Sequence, residues 1–209
     1  MSRLVLVALL LSPLATYAQA YPAKLMRVVI PWPGGSNDAA GRLVFQKVGE
    51  SVGQPVVIDN RSGAAGTIGA ALVARSAPDG YTVMVTSATH IANAHLYRKL
   101  PYDTLRDFIG SDKRIRQLAD IPTLAEAGVP GYDFTAWVGA FVPAGTSRTI
   151  IDKLSAEIRK ALDHPDVTSK FNNIALDPMF MTPEQFAARL KADYDKYAAL
   201  IALTGAKVD

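Results

Sequence analysis

The stretch VVIPWPGGSNDAAGR, Val28 to Arg42, holds the residues best placed to do chemistry. An apolar run ends in Pro-Trp-Pro-Gly-Gly and passes through Ser36, Asn37 and Asp38 into a segment of helical periodicity. A strand that hands its chain to a helix in this way sets several main-chain N–H groups beside Pro33, Gly34 and Gly35, and the two glycines have no side chain to block approach. Such a loop attracts anions, and the expected guest is a small carboxylate or another compact anion. A plainer reading fits the same residues: Asn37 or Asp38 caps the helix and the glycines make a turn. The charge of Asp38, which competes for the helix end, argues for that plainer reading.

Other constellations fall short. The loop lacks the Lys-Ser/Thr ending of a triphosphate-binding loop. GAAGTIG, Gly63 to Gly69, follows a strand and precedes a helix, yet Asp59 comes before it, where a dinucleotide fold wants its acidic residue afterwards. GGSND departs from G-x-S-x-G at its last position. His90 and His95 stand five apart rather than four, without H-E-x-x-H, and His164, before Pro165, reads as a C-terminal helix cap. The chain has no cysteine, which excludes thiolate nucleophiles, disulfides and cysteine metal sites. These absences point to a binding protein rather than an enzyme, with no metal and no cofactor.

The elements that would position the loop follow from periodicity. RVVI ending at Ile30, PVVI from Pro55 to Ile58 and YTVMVT from Tyr81 to Thr86 are short apolar runs, read as strands. Between them, Ala40, Leu43, Val44 and Val48 share one helical face up to Gly53, and Thr67 to Ser76 forms a second helix. Strands apolar on both faces and separated by helices predict a parallel βαβαβ unit covered on both sides. In such a sheet the ligand crevice lies outside the carboxyl ends of the strands, where the glycine loop would sit.

The remainder is mostly helical with one strand, WVGAFVP from Trp137 to Pro143. TLAEAG has Thr123 and Glu126 at capping-box spacing and Gly128 as a stop. Thr146 or Ser147 opens a helix with Ile151, Leu154, Ile158 and Leu162 along its core face. In the last helix Thr182 caps, Pro183 takes the first position, Gln185 lies three after the cap, and Phe186, Leu190, Tyr194, Tyr197 and Ile201 line one side before Gly205. DFIGSDKRIRQLAD, Asp107 to Asp120, shows no clear periodicity.

The first twenty residues, MSRLVLVALLLSPLATYAQA, carry Arg3, an apolar run from Leu4 to Leu11 and the small-x-small sequence Ala18-Gln19-Ala20, the pattern of a cleaved secretory signal peptide. Ser12, Pro13 and Thr16 cut the run well short of the roughly 20 apolar residues of a membrane span. The expectation is an exported product with no direct membrane insertion after cleavage. The 22 Lys and Arg, one of them in the leader, against 19 Asp and Glu leave a near-neutral balance without the basic footprint of a nucleic-acid binder.

YPAKLMRVVIPWPGGSNDAAGR, VVIDNRSGAAGTIGA, VARSAPDGYTVMVTSATHIANAHLYRKLPYDTLRDF, DIPTLAEAGVPGYDFTAWVGAFVPAGT and the closing TPEQFAARLKADYDKYAALI resemble, in this order, the Bug family of periplasmic solute receptors. These are the TctC-like binding components of tripartite tricarboxylate transporters. The resemblance covers nearly all of 21–108 and 120–209. It implies an α/β fold, the parallel-sheet lobe of a type II periplasmic-binding-protein clamshell, with a small carboxylate solute held between lobes and the membrane subunits of a transporter as partners. Pro33, Gly34, Gly35, Ser36, Asn37 and Asp38 match the first-lobe ligand loop, and Ser87, Ala88, Thr89 and His90 match the segment after the third strand that also lines the cleft. Gly63 to Thr67 matches a turn of mainly structural role, and Trp137 lies where the chain returns to the first lobe.

This chain departs from the family in one place. A block about the size of a lobe normally lies between the counterparts of Phe108 and Asp120, and here a short junction, 109–119, replaces it. The implied organisation is a signal peptide at 1–20 and a single α/β lobe at 21–209, built from 21–108 and 120–209, with the second lobe missing. Clamshell receptors close around a ligand from both sides, so the expected function is a periplasmic solute-binding protein with impaired capture. The alternative is a non-binding remnant that acts as a scaffold or interaction module, and an α/β enzyme ranks last.

Overall fold

A computed structural model describes residues 21–111, 137–174, 176–178 and 180–208. The expected signal peptide, the TLAEAG helix and most of the junction lie outside the described residues. Five strands form one sheet: β1 (Met26–Ile30), β2 (Val56–Asn60), β3 (Thr82–Ser87), β4 (Phe108–Ser111) and β5 (Val138–Pro143), in the order β2-β1-β3-β5-β4. β1 runs parallel to β2 and to β3, as the βαβαβ pattern predicts. β5 returns antiparallel to β3, with Ser87 opposite Val138, and β4 pairs antiparallel with β5 at the far edge.

Strand alternation sends side chains into two cores. Met26, Val28, Ile30, Val83, Val85 and Val142 face helix α1 (Gly35–Val52), α4 (Arg148–Leu162) and α5 (Pro165–Asn173). Val29, Met84 and Phe141 face α2 (Thr67–Ala74), α3 (Thr89–Leu96) and α6 (Pro183–Thr204). The result is a three-layer α/β/α sandwich, the architecture that strands apolar on both faces require. Phe45, Phe141, Phe186 and Met84 are fully buried, each contributing about 1.5–3 kcal/mol of transfer free energy.

The two halves of the chain interlock. α1 lies against α4, where Ser51 donates to Glu157 Oε2 at 2.6 Å and Lys160 donates to Ser51 Oγ at 2.6 Å. On the opposite face, Phe186 and Leu190 of α6 are buried, with Tyr194 and Tyr197 packed against the same core. Thr182 and Gln185 close the expected capping box at the start of α6, and Gly205 ends it in the left-handed region. Ser147, rather than Thr146, caps α4, its hydroxyl accepting the Ile150 N–H.

The structure adds three elements that periodicity does not show, α3, α5 and β4, and it revises one role. His164 does not cap the end of a helix; it opens α5, with Nδ1 accepting the Asp166 N–H at 3.2 Å. Pro165 at the first helical position explains this, because it needs no N–H partner and fixes the chain for a new helix.

Candidate functional site

Because β1, β2 and β3 are parallel, the loops that follow them leave the sheet at one edge. β1 lies between β2 and β3, with α1 packed on one face and α3 on the other, so the chain diverges between the ends of β1 and β3. That divergence is where open α/β sheets hold ligands.

The loop after β1 turns through two glycines in the left-handed region, Gly34 at φ 74° and Gly35 at φ 73°. A Cβ at either would meet nothing within 4 Å, so the requirement there is conformational. Pro33, Gly34, Gly35 and Ser36 are exposed, and Asn37 and Asp38 are half-buried. Gly34 is the residue preceding α1, and no side chain caps that end from the capping position. Asp38 reaches back from the first turn instead: its Oδ2 accepts the Gly34 N–H at 3.2 Å.

Asp38 is also the centre of a network. Arg42, one turn later, donates Nε to both carboxylate oxygens at 3.1 Å, Asn60 at the end of β2 donates Nδ2 to Oδ1 at 3.0 Å, and Arg42 Nη2 reaches Asn60 Oδ1 at 2.8 Å. Burial pushes the Asp38 carboxyl up, but the hydrogen bonds from Arg42, Asn60 and Gly34 outweigh it and hold the group below the ordinary carboxylate range. The plainer reading is met only in part: Asp38 takes the Gly34 N–H but does not cap the first turn of α1. Among the described residues, no protein acceptor meets the N–H groups of Gly35, Ser36 or Asn37, which lie in the first turn of an 18-residue helix. Those donors lie at the positive end of α1.

The turn after β2 buttresses this loop from below. Gly66 comes so close to Pro31 and Trp32 that a Cβ would sit 3.1 Å from Pro31 Cβ and 3.3 Å from Trp32 Nε1. The Arg61 N–H is bonded to Ile30 O at 3.1 Å. Gly63 to Thr67 thus packs against the loop's stem, in line with the structural role the resemblance implies.

After β3, Ser87 and Thr89 are half-buried and their hydroxyls lie 3.4 Å apart, while Ala88 is buried. These residues share the edge with the glycine loop. The ring of His90 does not: it is 3% exposed, 4.7 Å from the Phe108 ring centroid, 5.4 Å from Phe141 and stacked 5.4 Å from Tyr102. Burial drives its pKa down to about 3, so the imidazole is neutral and belongs to the core.

Trp137 is likewise interior. Its indole donates to Asp193 Oδ2 at 2.8 Å and its ring packs edge-on against Phe186. Sequence reasoning missed Asn60 and Arg42 as partners of the loop; the i, i+4 spacing of Asp38 and Arg42 is the signal that was available. Among the described residues, no group of three His, Cys, Asp or Glu side chains could hold a metal ion, and no helix is long and apolar enough to cross a membrane.

Comparison with known proteins identifies the family and the fold. The family model described as tripartite tricarboxylate transporter family receptor matches residues 40–111 and 108–205, two pieces that meet at the junction. A UPF0065 protein from the tcbD-tcbE intergenic region of Pseudomonas sp. (strain P51) is 26% identical, with 93% of this chain and 91% of that protein covered. That alignment runs over 307 residues although this chain has 209, so part of the relative has no counterpart here. Protein BugT of Bordetella pertussis is 36% identical over 108 residues, which are 50% of this chain and 32% of BugT. Among solved structures, R. palustris Rpa4515 with adipate superposes with a TM-score of 0.77 at 21% identity, covering 90% of this chain and 100% of that one. The fold is that of periplasmic binding proteins, of which this chain covers only part.

Proposed function

The chain belongs to the tripartite tricarboxylate transporter receptor family, and from that premise we propose that it presents the first-lobe half of a periplasmic carboxylate-binding site. The observation that carries this reading is the set of N–H groups at Gly35, Ser36 and Asn37, unmatched by acceptors among the described residues at the exposed start of α1. Ser87 and Thr89 supply hydroxyls on the neighbouring strand end. Pro33 and Gly34 shape the loop, Asp38 holds it, and Ala88 and His90 contribute backbone and core packing. A solute with a terminal carboxylate, such as the adipate bound by the R. palustris neighbour, has the chemistry such donors select.

One lobe leaves the other side of that solute in water. Its hydrogen bonds then compete with solvent, and the water exclusion that strengthens them inside a closed clamshell is lost. We place this chain's affinity in the range weaker than about 1 mM, where less than about 4 kcal/mol of binding free energy is available. The product is exported through the leader at 1–20, and the membrane subunits of the transporter are its natural partners. A second reading, a lobe that no longer binds and serves only as a scaffold, draws on the capture of the Gly34 N–H by Asp38, which removes one donor from the cradle.

Amide NMR titration with adipate and malate separates the two. Shifts confined to 34–38 and 87–89 at millimolar solute support the receptor reading. A folded spectrum that does not move at those positions up to the solubility limit overturns it in favour of the scaffold.

A further inference from the structure

Beneath the ligand edge lies a group of polar side chains that the site does not use. Asn93 in α3 is 1% exposed, His90 one turn earlier is 3% exposed, and Tyr102, in the segment that leads to β4, is 9% exposed. Asn93 Oδ1, His90 Nε2 and the Tyr102 hydroxyl are each buried without a hydrogen-bond partner among the described residues. Tyr102 neighbours both of the others. The His90 and Tyr102 rings stack 5.4 Å apart with their planes 23° from parallel. Burial pushes the Tyr102 hydroxyl up to about 12, and the adjacent Asn93 amide opposes the rise, although the two side chains make no well-formed hydrogen bond.

Leaving three such atoms unmatched would cost about 1–3 kcal/mol apiece, a large share of the stability of a domain of this size. Rearrangement among the side chains does not remove the whole cost, since a Tyr102–Asn93 contact would leave His90 Nε2 unmatched. The Asn93 amide is oriented by its other end, where Nδ2 donates to Ala65 O at 2.8 Å. The imidazole is wedged by the rings of Phe108 and Phe141, which offer no acceptor.

We infer that α3 and the segment behind it enclose an ordered water molecule, bound by Tyr102 OH, Asn93 Oδ1 and His90 Nε2. A water can donate to the Asn93 carbonyl oxygen, exchange a proton position with the tyrosine hydroxyl, and serve whichever role the neutral imidazole nitrogen requires. Buried waters typically make about three such bonds. The consequence is mechanical. Asn93 supports Ala65, which stands with Ala64 in the left-handed region at φ 50° and 45°, so the water joins the turn after β2, the helix after β3 and the segment that leads to β4 in one connected unit.

The sign of one substitution tests this. With the water in place, Tyr102→Phe removes a satisfied hydroxyl and lowers Tm by about 2–4 °C, the shift expected for roughly 1 kcal/mol in a domain of this length. In a dry site the same change deletes an orphaned polar atom, and Tm stays level or rises, which overturns the inference. A second measurement uses the unaltered chain. Water-to-protein nuclear Overhauser contacts to the His90 ring and the Asn93 side chain, or crystallographic density within hydrogen-bond reach of all three atoms, support the site. Absence of both, or a direct Tyr102–Asn93 hydrogen bond filling the space, refutes it.

Discussion

The carboxylate of Asp38 accepts the main-chain N–H of Gly34 at 3.2 Å, bending back over the first turn of its own helix. A residue that looked on charge grounds like a competitor of an anion is the brace of the glycine loop. It fixes Gly34 and Gly35 in conformations that other residues avoid, and through Asn60 and Arg42 it fastens the loop to the end of β2. In the proposed site, the N–H groups of Gly35 to Asn37 would then be held ready rather than ordered by the solute, which reduces the entropy lost on binding.

This brace predicts a coupled loss. Asp38→Asn keeps the shape but weakens the charge-assisted bonds to Arg42, so stability should fall by about 1 kcal/mol. Hydrogen exchange at Gly34 should accelerate more than exchange at buried strand amides such as that of Val28. Unchanged exchange at Gly34 would show that the loop holds itself.

The same residue sets an acid response, together with Asp59. Burial raises the Asp59 carboxyl, but hydrogen bonds from Arg27 and Arg61 prevail and lower it, as happens at Asp38. With both folded pKa values below the unfolded ones, the stabilisation is complete above the unfolded carboxylate range, near pH 4. It is lost as pH falls through the lower, folded values. The measurement is urea unfolding from pH 5 downward, in which the double variant Asp38→Asn, Asp59→Asn should show a shallower decline than the parent chain.

His90 predicts a pH effect in a higher window. Its folded pKa is lowered to about 3 from an unfolded value near 6.5, so between those limits the unfolded chain binds the extra proton. Stability therefore rises with pH across that range and is fully present above it. His90→Phe, which keeps a ring among Tyr102, Phe108 and Phe141, should flatten the profile between about pH 4 and pH 6.5. A profile that keeps its slope would place the titrating group elsewhere.

How much of this was legible beforehand depended on the range of the interaction. The βαβαβ unit, the α6 cap and the return of the chain at Trp137 were all readable, because each rests on spacing within a few residues. α3 was hidden because Thr89 to Leu96 carries Asn93 and two histidines on a short helix whose burial comes from the aromatic core around it. β4 was hidden because its pairing with β5 is long-range, and Phe108–Ser111 has no alternation long enough to show. In the site, the glycine loop announced itself by composition. Asp38's hold on Asn60 spans 22 positions and could be seen only once β2 was set beside β1. His90 illustrates the reverse error, since a polar residue next to a ligand segment turned inward to stack on Tyr102.

Glycine at position 35 predicts a purely conformational cost. At φ 73° with open space around the site of a Cβ, Gly35→Ala should destabilise the chain by about 1–2 kcal/mol without any clash. Gly35→Asn should cost less, since Asn tolerates the left-handed region. An equal loss for both would point to a steric origin.

The strongest stability prediction concerns the joint between the last helix and the sheet. Trp137 precedes β5 and Asp193 lies in α6. Their 2.8 Å hydrogen bond is buried, with Arg189 Nε also donating to Asp193 Oδ2 at 3.0 Å. Asp193→Ala would strand the indole N–H and leave Arg189, whose side chain is only 21% exposed, without this partner. The expected cost is about 2–4 kcal/mol, measured as a lower urea midpoint at unchanged m-value. In a Trp32→Phe background the emission of Trp137 should also shift to the red as water reaches the ring. Asp193→Asn retains an acceptor for the indole and should recover part of the loss. If it recovers none, the loss arises within α6, from the i,i+4 pair of Asp193 with Arg189, and the bond to Trp137 does not join α6 to the sheet.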